Sequence, residues 1–315
     1  MRILVVGAGA LGGYFGGRLL EAGRDVTFLV RPRRAAQLAK TGLVIRSKFG
    51  DAELANPPTV MADALGTPFD LIILSCKAYD LASAADSFAP AVGEKTAILP
   101  LLNGMAHLDF LSSRFGSGSV LGGLCLISAT LDAEGRILHL NDLHGLPFGE
   151  LDGVISARGE AIAATMAGAR FEARLSTTIL QEMWEKWMFI AATAGITCLM
   201  RATVGDIVAA DAAAQTTSLL DECAAIAAAH GFAPREPMKV LSRTMLTTPG
   251  STLAASMLRD IERDAPIEAD HIVGDLLRRG EARSGKYPLL RIAHAHLKAY
   301  EARRKRQSVV TPAAA

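Results

Sequence analysis

Three glycines near the N-terminus form the pattern with the clearest chemical use. Gly7, Gly9 and Gly12 make a G-x-G-x-x-G motif between an apolar run (residues 2–6) and a helix-like stretch. In that setting the first glycine allows a tight turn, the second lets the backbone approach a pyrophosphate, and the third lets the helix pack close to the strand. The helix N-terminus adds N–H groups for the phosphates. The sequence therefore predicts a dinucleotide-binding loop made of Gly7, Ala8, Gly9, Ala10, Leu11 and Gly12.

The end of the second predicted strand indicates which dinucleotide binds. An NAD site usually has Asp or Glu there, which accepts hydrogen bonds from the ribose 2′-hydroxyl. Here residues 25–30 form the strand, and Arg31 follows, with Arg33 and Arg34 behind it. A guanidinium group suits the 2′-phosphate of NADP. We therefore predict NADP(H) with Arg31 as its ligand, whereas a solvated basic turn is the better interpretation for Arg33 and Arg34 individually.

Bulk properties are those of a soluble enzyme. The chain has 315 residues and a net charge of +1, which offers no basic surface for nucleic acid. No apolar run reaches the ~18 residues that a membrane span needs, and the apolar start is too short for a signal peptide. The scattered cysteines (Cys76, Cys125, Cys198, Cys223) are expected to be buried apolar residues. The sequence thus favours a cytoplasmic protein with no metal, no nucleic-acid partner and no membrane association, and a homodimer stays open.

Strand and helix signals alternate as far as about residue 150. The candidate strands after the first two are residues 43–45, 59–61, 69–75, 96–102 and 120–122. Such alternation predicts an α/β fold with a mostly parallel, doubly wound sheet of the Rossmann type.

From about residue 177 the strand signals vanish. Long stretches rich in Ala, Leu and Met follow instead, at residues 178–193, 212–230, 268–283 and 288–304. They predict an all-helical C-terminal domain. We place the dinucleotide-binding domain at residues 1–170, the helical domain at residues 171–305, and a disordered tail at residues 306–315.

Two strand ends carry polar residues, and ligands of open α/β sheets bind beyond the carboxyl ends of the strands. Lys77 follows one strand and could neutralise cofactor phosphate, although an ordinary exposed lysine is an equal alternative. Asn103 follows the next strand. Its amide could bond the nicotinamide ribose or a substrate oxygen, or it could serve only the Asn-Gly turn.

Taken together, these motifs resemble those of one family, the ketopantoate reductases (2-dehydropantoate 2-reductases). The segments that carry the resemblance are residues 7–13, Cys76-Lys77-Ala78, Asn103-Gly104-Met105, residues 182–187 and residues 256–261, with Glu268 twelve residues after Ser256. The resemblance extends in order from Met1 to about Arg304. It implies NADPH-dependent reduction of the ketone of 2-dehydropantoate, in the pathway to pantothenate, in a cleft between a Rossmann domain and a helical domain.

The resemblance also implies roles for individual residues. The family's catalytic lysine corresponds to Lys186, the proton donor, and desolvation could bring its pKa into a useful range. Ser256 corresponds to the serine that binds the substrate carboxylate. Glu268 corresponds to the active-site glutamate, which also lies at the cofactor. Asn103 and Lys77 match cofactor-site residues, with Asn103 also a candidate substrate ligand. Ala129 lies where the family makes a backbone contact to the cofactor, in a loosely matching loop.

The chain departs from the family at three positions that bind substrate. Ile190, Ala194 and Val204 replace asparagines four, eight and eighteen residues after the lysine. An apolar pocket cannot demand a substrate hydroxyl, so we expect a 2-oxo acid substrate that is more apolar than 2-dehydropantoate. Two alternatives stay open: a 6-phosphogluconate-type or opine-type NADP dehydrogenase, and a regulatory dinucleotide-binding protein without turnover.

Overall fold

The computed structural model describes residues 1–310. Its strands are β1 (Arg2–Val6), β2 (Asp25–Leu29), β3 (Leu43–Arg46), β4 (Ala52–Leu54), β5 (Thr59–Val60), β6 (Leu71–Leu74), β7 (Ala97–Pro100), β8 (Leu121–Gly123), β9 (Ala129–Leu131), β10 (Ile137–His139), β11 (Gly145–Glu150) and β12 (Glu172–Leu175). Its α-helices are α1 (Ala10–Glu21), α2 (Pro32–Thr41), α3 (Leu81–Phe88), α4 (Ala106–Phe115), α5 (Ala157–Met166), α6 (Ile179–Met200), α7 (Val204–Ala209), α8 (Ala213–Ala229), α9 (Glu236–Thr247), α10 (Ser256–Glu262), α11 (Asp275–Glu281) and α12 (Pro288–Val310). A π-helix, Asp270–Gly274, leads directly into α11.

The described chain divides into two compact units. The first comprises Met1–Leu102 and His107–Leu180, and the second comprises Asn103–Ala106 and the chain from Gln181 onward. The division lies ten residues after the predicted boundary at residue 170, because β12 pairs in parallel with β11 and so belongs to the first unit. Of the predicted tail, residues 306–310 continue α12 and residues 311–315 lie outside the described residues.

The first unit is built on a five-stranded parallel sheet with the order β5-β2-β1-β6-β7. All four residues of β6 and the last four of β1 are buried, as expected for strands covered on both faces. The mostly parallel Rossmann-type sheet predicted from the alternating pattern is confirmed. Its order puts the carboxyl ends of β1, β2 and β6 side by side, where the glycine-rich loop and the segments after β2 and β6 begin.

Two of the predicted strands form but belong to other sheets. β3 lies in a four-stranded sheet of order β4-β3-β10-β9, and β8 lies in a three-stranded sheet of order β12-β11-β8. Alternating burial along β3 shows the reason, since every second side chain is only partly buried, unlike those of a parallel strand covered on both faces. The expectation that residues 43–45 extend the parallel sheet is therefore wrong, whereas Val120, directly before β8, does make a parallel bridge to Ile98 of β7.

The second unit is helical from Gln181 onward, as predicted. The helix predicted over residues 178–193 is α6, which continues seven residues past residue 193 to Met200. The stretch predicted as one helix over residues 268–283 is instead the π-helix followed by α11. Trp187 of α6 donates its indole N–H to the Ile272 carbonyl of the π-helix at 2.8 Å, in a buried position. Within the described residues, no helix has the length and apolar character of a membrane span.

Candidate active site

The glycine-rich loop adopts the geometry that its motif predicts. Gly7 has a φ of 93°, which only glycine adopts readily, and its N–H donates to the Leu29 carbonyl at 2.9 Å. A Cβ on Gly12 would lie 2.1 Å from the Gly7 carbonyl oxygen, so the start of α1 can approach β1 only with glycine there. A Cβ on Gly9 would meet no protein atom within 4 Å. Two of the glycines thus serve the fold, while the third faces open space.

The open space is a cavity of about 780 Å³ in the first unit. Gly7, Ala8 and Gly9 form one wall, and the others come from the ends of β2 and β6, residues 61–63, α3 and Leu131. Its polar lining side chains are Arg31, Arg34, Asp63, Ser75, Asp80, Ser83 and Ser87. The size is that of a small-molecule site, and the open side of Gly9 leaves room for a pyrophosphate beside the N-terminus of α1. The cavity therefore fits a dinucleotide.

Arg31 lies at the rim of this cavity, as its place after β2 predicts. It is the residue before Pro32, which opens α2, and its side chain is 73% exposed. Its Nη2 donates to a carboxylate oxygen of Asp80 at 2.8 Å, and this hydrogen bond raises the pKa of Arg31. No acid directly follows β2 in the sequence. The structure supplies one from the segment between β6 and α3.

Arg34 corrects the interpretation of the basic turn. Instead of being solvated, its side chain is partly buried and lines the cavity, and burial lowers the pKa of its guanidinium. Its Nε donates to the Ala8 carbonyl at 2.9 Å, and its Nη1 donates to Gln37 at 2.7 Å. Its Nη2 is buried without a hydrogen-bond acceptor among the described residues. Arg33, by contrast, is exposed as expected.

Of three further predicted residues of the first unit, Cys76 lines the cavity and Lys77 and Ala129 do not. Lys77 is exposed and follows β6, and Cys76 beside it lines the cavity while only partly buried, which corrects the prediction that all four thiols are buried. Burial raises the pKa of Cys198 to about 12, as expected for a thiol inside the protein. Ala129 begins β9 opposite His139 of β10, and Leu131, two residues later, is the β9 residue that lines the cavity.

Asn103 belongs to the second unit, where its loop packs on the π-helix. Gly104 has a φ of 79°, and a Cβ there would lie 2.9 Å from the His271 carbonyl oxygen and 3.2 Å from the His271 ring. The His271 imidazole hydrogen-bonds to the Asn103 backbone, while burial lowers its pKa. Glu268 is partly buried and lies close enough for its charge to oppose that shift. The second unit thus brings together Asn103, Glu268 and His271, and no sequence motif pointed to His271.

Lys186 lies in the second turn of α6 and is partly buried, as its apolar neighbours predict. Trp187 on one side is fully buried, and Glu185 on the other is 2% exposed. Glu185 accepts hydrogen bonds from the backbone N–H of Arg235 at 2.8 Å and from its Nη2 at 2.5 Å. Although burial opposes the shift, these bonds lower the pKa of Glu185. The buried carboxylate fixes the turn of α6 that presents Lys186.

Ser256 is the first residue of α10 and is exposed. Two backbone contacts hold the preceding segment. The Ala255 N–H donates to the Thr197 hydroxyl of α6 at 3.3 Å, and the Leu253 carbonyl accepts from the Val204 N–H at 2.9 Å. The ends of α6 and α7 therefore determine where Ser256 lies.

The three positions that depart from the resemblance differ in burial. Ile190 is partly buried, whereas Ala194 is 2% exposed and Val204 is 1% exposed. Of the three, Ile190 has the most side-chain surface available to a ligand, while the other two side chains pack in the core. Among residues 1–310, no three His, Cys, Asp or Glu side chains gather in a way that could hold a metal ion.

Comparison with known families accounts for both units. Residues 3–153 match the ketopantoate reductase PanE/ApbA family, and residues 178–301 match its C-terminal domain. The chain belongs to the ketopantoate reductase family. It is therefore an oxidoreductase that acts on a CH–OH group with a nicotinamide dinucleotide as its cofactor.

Individual relatives cover nearly the whole chain. An uncharacterized oxidoreductase, YkpB of Bacillus subtilis, is 39% identical over 96% of this chain and 99% of its own. The 2-dehydropantoate 2-reductase of Mesorhizobium japonicum is 27% identical over 89% of this chain and 91% of its own. The crystal structure of 2-dehydropantoate 2-reductase from Methylococcus capsulatus has a TM-score of 0.85 and 27% identity, covering 96% of this chain and 98% of that chain. The family resemblance read from the motifs is confirmed.

Proposed function

We propose that this ketopantoate reductase family member catalyses the NADPH-dependent reduction of a 2-oxo acid to a 2-hydroxy acid. The substrate would be 2-dehydropantoate, in pantothenate biosynthesis, or a related and more apolar 2-oxo acid. Family membership over both units carries the proposal. The arginines that line the dinucleotide cavity support NADPH, because a guanidinium group suits a phosphate.

NADPH would supply the hydride that adds to the carbonyl carbon of the acid. The electron pair of the C=O π bond then moves to oxygen, and Lys186 would protonate the resulting alkoxide. The partly buried place of Lys186 in α6, next to the fully buried Trp187, supports this role, because a proton donor must be held in position. Ser256 would bind the substrate carboxylate from the exposed start of α10.

The family resemblance assigns cofactor contacts to residues of each unit. In the first unit, residues 7–12 would hold the pyrophosphate and Arg31 the 2′-phosphate, with Lys77 and the Ala129 backbone as further contacts. In the second unit, Asn103 would bond the nicotinamide ribose or a substrate oxygen, and Glu268 would contact substrate and cofactor. The fixed turn at Gly104 and the hydrogen bond from His271 support a set position for Asn103.

Ile190 indicates which kind of substrate side chain the site binds. A site with an apolar residue at position 190 binds a branched 2-oxo acid but gains no binding energy from a terminal hydroxyl. We therefore propose that 2-oxoisovalerate is used about as well as 2-dehydropantoate.

A spectrophotometric screen tests the proposed function. The purified protein is mixed with NADPH or NADH and a panel of 2-oxo acids, and loss of the reduced nicotinamide is followed. Oxidation of NADPH by a branched 2-oxo acid, abolished in Lys186→Ala, is the expected result. A protein that binds NADPH but oxidises it with no 2-oxo acid would instead be a non-catalytic dinucleotide-binding protein. Activity confined to phosphorylated sugar acids or to amino-acid conjugates would indicate a 6-phosphogluconate-type or opine-type dehydrogenase.

A further inference from the structure

A carboxylate lies beside the guanidinium group expected to bind the cofactor's 2′-phosphate. Asp80 accepts a hydrogen bond from Arg31 Nη2 at 2.8 Å, and both residues line the dinucleotide cavity. The two residues come from different strand ends, since Arg31 follows β2 and Asp80 lies between β6 and α3. The contact joins segments that lie 49 residues apart in the chain.

Arg31 can exchange Asp80 for another anionic partner, because this ion pair contributes little to the stability of the fold. The Arg31 side chain is 73% exposed and that of Asp80 is 33% exposed, so water screens their attraction. Exposed pairs of this kind contribute little to stability. A phosphate offers the guanidinium a stronger, bidentate partner, but it would have to displace Asp80 and then remain close to the carboxylate charge.

The two cofactors would experience this carboxylate differently. The 2′-phosphate of NADPH carries a charge of nearly −2 at neutral pH, as phosphate monoesters do. It would compete with Asp80 for Arg31 and be repelled by it. The 2′-hydroxyl of NADH is neutral and does neither. A carboxylate at this position therefore penalises NADPH alone.

We propose that Asp80 is a specificity-determining residue. Its carboxylate competes with the 2′-phosphate of NADPH for Arg31 and so reduces the factor by which NADPH binds more tightly than NADH. The inference rests on the proposed function in one respect, namely that Arg31 is the ligand of that phosphate. It assigns to a residue after β6 a part of the discrimination that Rossmann domains usually place after β2.

The test measures dissociation constants for NADPH and NADH in the full-length protein and in Asp80→Asn, which keeps the shape of the side chain and removes its charge. We expect NADPH to bind about two- to fivefold more tightly, which is the range that corresponds to the loss of an exposed ion pair, and NADH affinity to change less than about twofold. Asp63→Asn is the matched control, because Asp63 is an exposed carboxylate that lines the same cavity with no ion pair to Arg31 among the described residues. It should leave the ratio of the two constants unchanged.

The same measurements in an Arg31→Ala background separate the role of Asp80 from the role of Arg31 as the phosphate ligand. If Asp80 acts through Arg31, Arg31→Ala weakens NADPH selectively and Asp80→Asn then adds no further preference for NADPH. If Arg31→Ala weakens NADPH but Asp80→Asn leaves the NADPH-to-NADH ratio unchanged, or shifts it no more than Asp63→Asn does, the inference about Asp80 is wrong while the proposed cofactor stands. If Arg31→Ala leaves NADPH affinity intact, Arg31 is not the phosphate ligand and both proposals are overturned.

Discussion

Substituting two glycines of the same loop by alanine should separate cofactor binding from stability. Gly9 has a φ of −80° and a ψ of −161°, a conformation open to any residue, and a Cβ there would meet nothing within 4 Å. Gly12 lies in α1, and a Cβ there would lie 2.1 Å from both the Gly7 carbonyl oxygen and the Ser75 hydroxyl oxygen. The same added methyl group therefore projects into the cavity in one variant and into the protein backbone in the other.

The expected magnitudes follow from these surroundings. Gly9→Ala should leave stability unchanged or raise it by about 0.4–1 kcal/mol, because alanine restricts the unfolded chain without strain in the folded one. Gly12→Ala gains about 1 kcal/mol of helix propensity but introduces overpacking against a backbone carbonyl, which typically costs about 1–3 kcal/mol and occasionally more. Separations of 2.1 Å place it at the upper end of that range, so we expect a net loss of about 1–2 kcal/mol or more.

The assay combines urea unfolding of both variants with titration of NADPH. Gly9→Ala should unfold at the urea concentration of the natural protein or above it and bind NADPH at least tenfold more weakly, a loss of about 1.4 kcal/mol. Gly12→Ala should unfold at a lower urea concentration. Full NADPH affinity in Gly9→Ala would show that the open side of Gly9 does not face the pyrophosphate. The assignment of the cavity to the dinucleotide would then fail.

Three further predictions concern the second unit. Lys186→Ala should lower kcat by about two orders of magnitude or more, as for loss of a positioned acid, with NADPH affinity retained; the control Lys239→Ala, on the surface of α9, should have normal kcat, and an equal loss in both variants would contradict the assignment. Burial lowers the pKa of His271 in the folded protein. The stability that its neutral ring contributes is therefore present above the unfolded pKa of about 6.5 and is lost as pH falls through the lower folded value. Thermal unfolding measured from pH 8 to pH 5 should show this loss of stability, and His271→Gln should lose less stability over the same range. Ile190→Asn should raise the ratio of kcat/KM for 2-dehydropantoate to that for 2-oxoisovalerate, and an unchanged ratio would mean that residue 190 does not face the substrate.

Local sequence patterns predicted the glycine-rich loop and the central sheet because each depends on neighbouring residues. The turn at Gly7 and the packing of Gly12 follow from three positions within six residues. The buried strands β1 and β6 are continuous apolar runs, as parallel strands covered on both faces must be. Membership of a particular sheet could not be predicted in the same way, since β8 pairs with β11, and β3 pairs with the distant β10 as well as with the neighbouring β4.

The residues that escaped prediction depend on contacts between distant segments. Asp80 reads as an ordinary acid at the start of a helix, and only the fold places it against Arg31. Arg34 is one of three arginines in a turn, and its burial arises from the Ala8 and Gly135 carbonyls, to which its guanidinium donates. His271 gave one usable signal, an imidazole three residues after Glu268 on the same helical stretch, but its contact with Gly104 spans more than 160 residues of sequence.

Two of the three residues that replace the family's substrate asparagines, Ala194 and Val204, lie in the packed interior of the second unit. Val204 is 1% exposed, and its backbone N–H holds the Leu253 carbonyl of the segment that leads to Ser256. Ala194 is buried in α6, three residues before Thr197, whose hydroxyl accepts from the N–H of Ala255 in the same segment. An asparagine at either position would place an amide in the core, at a cost of about 1–3 kcal/mol where no partner is available. Residues 194 and 204 thus belong to the packed interior, which leaves Ile190 as the position where polarity could change without placing an amide in the core.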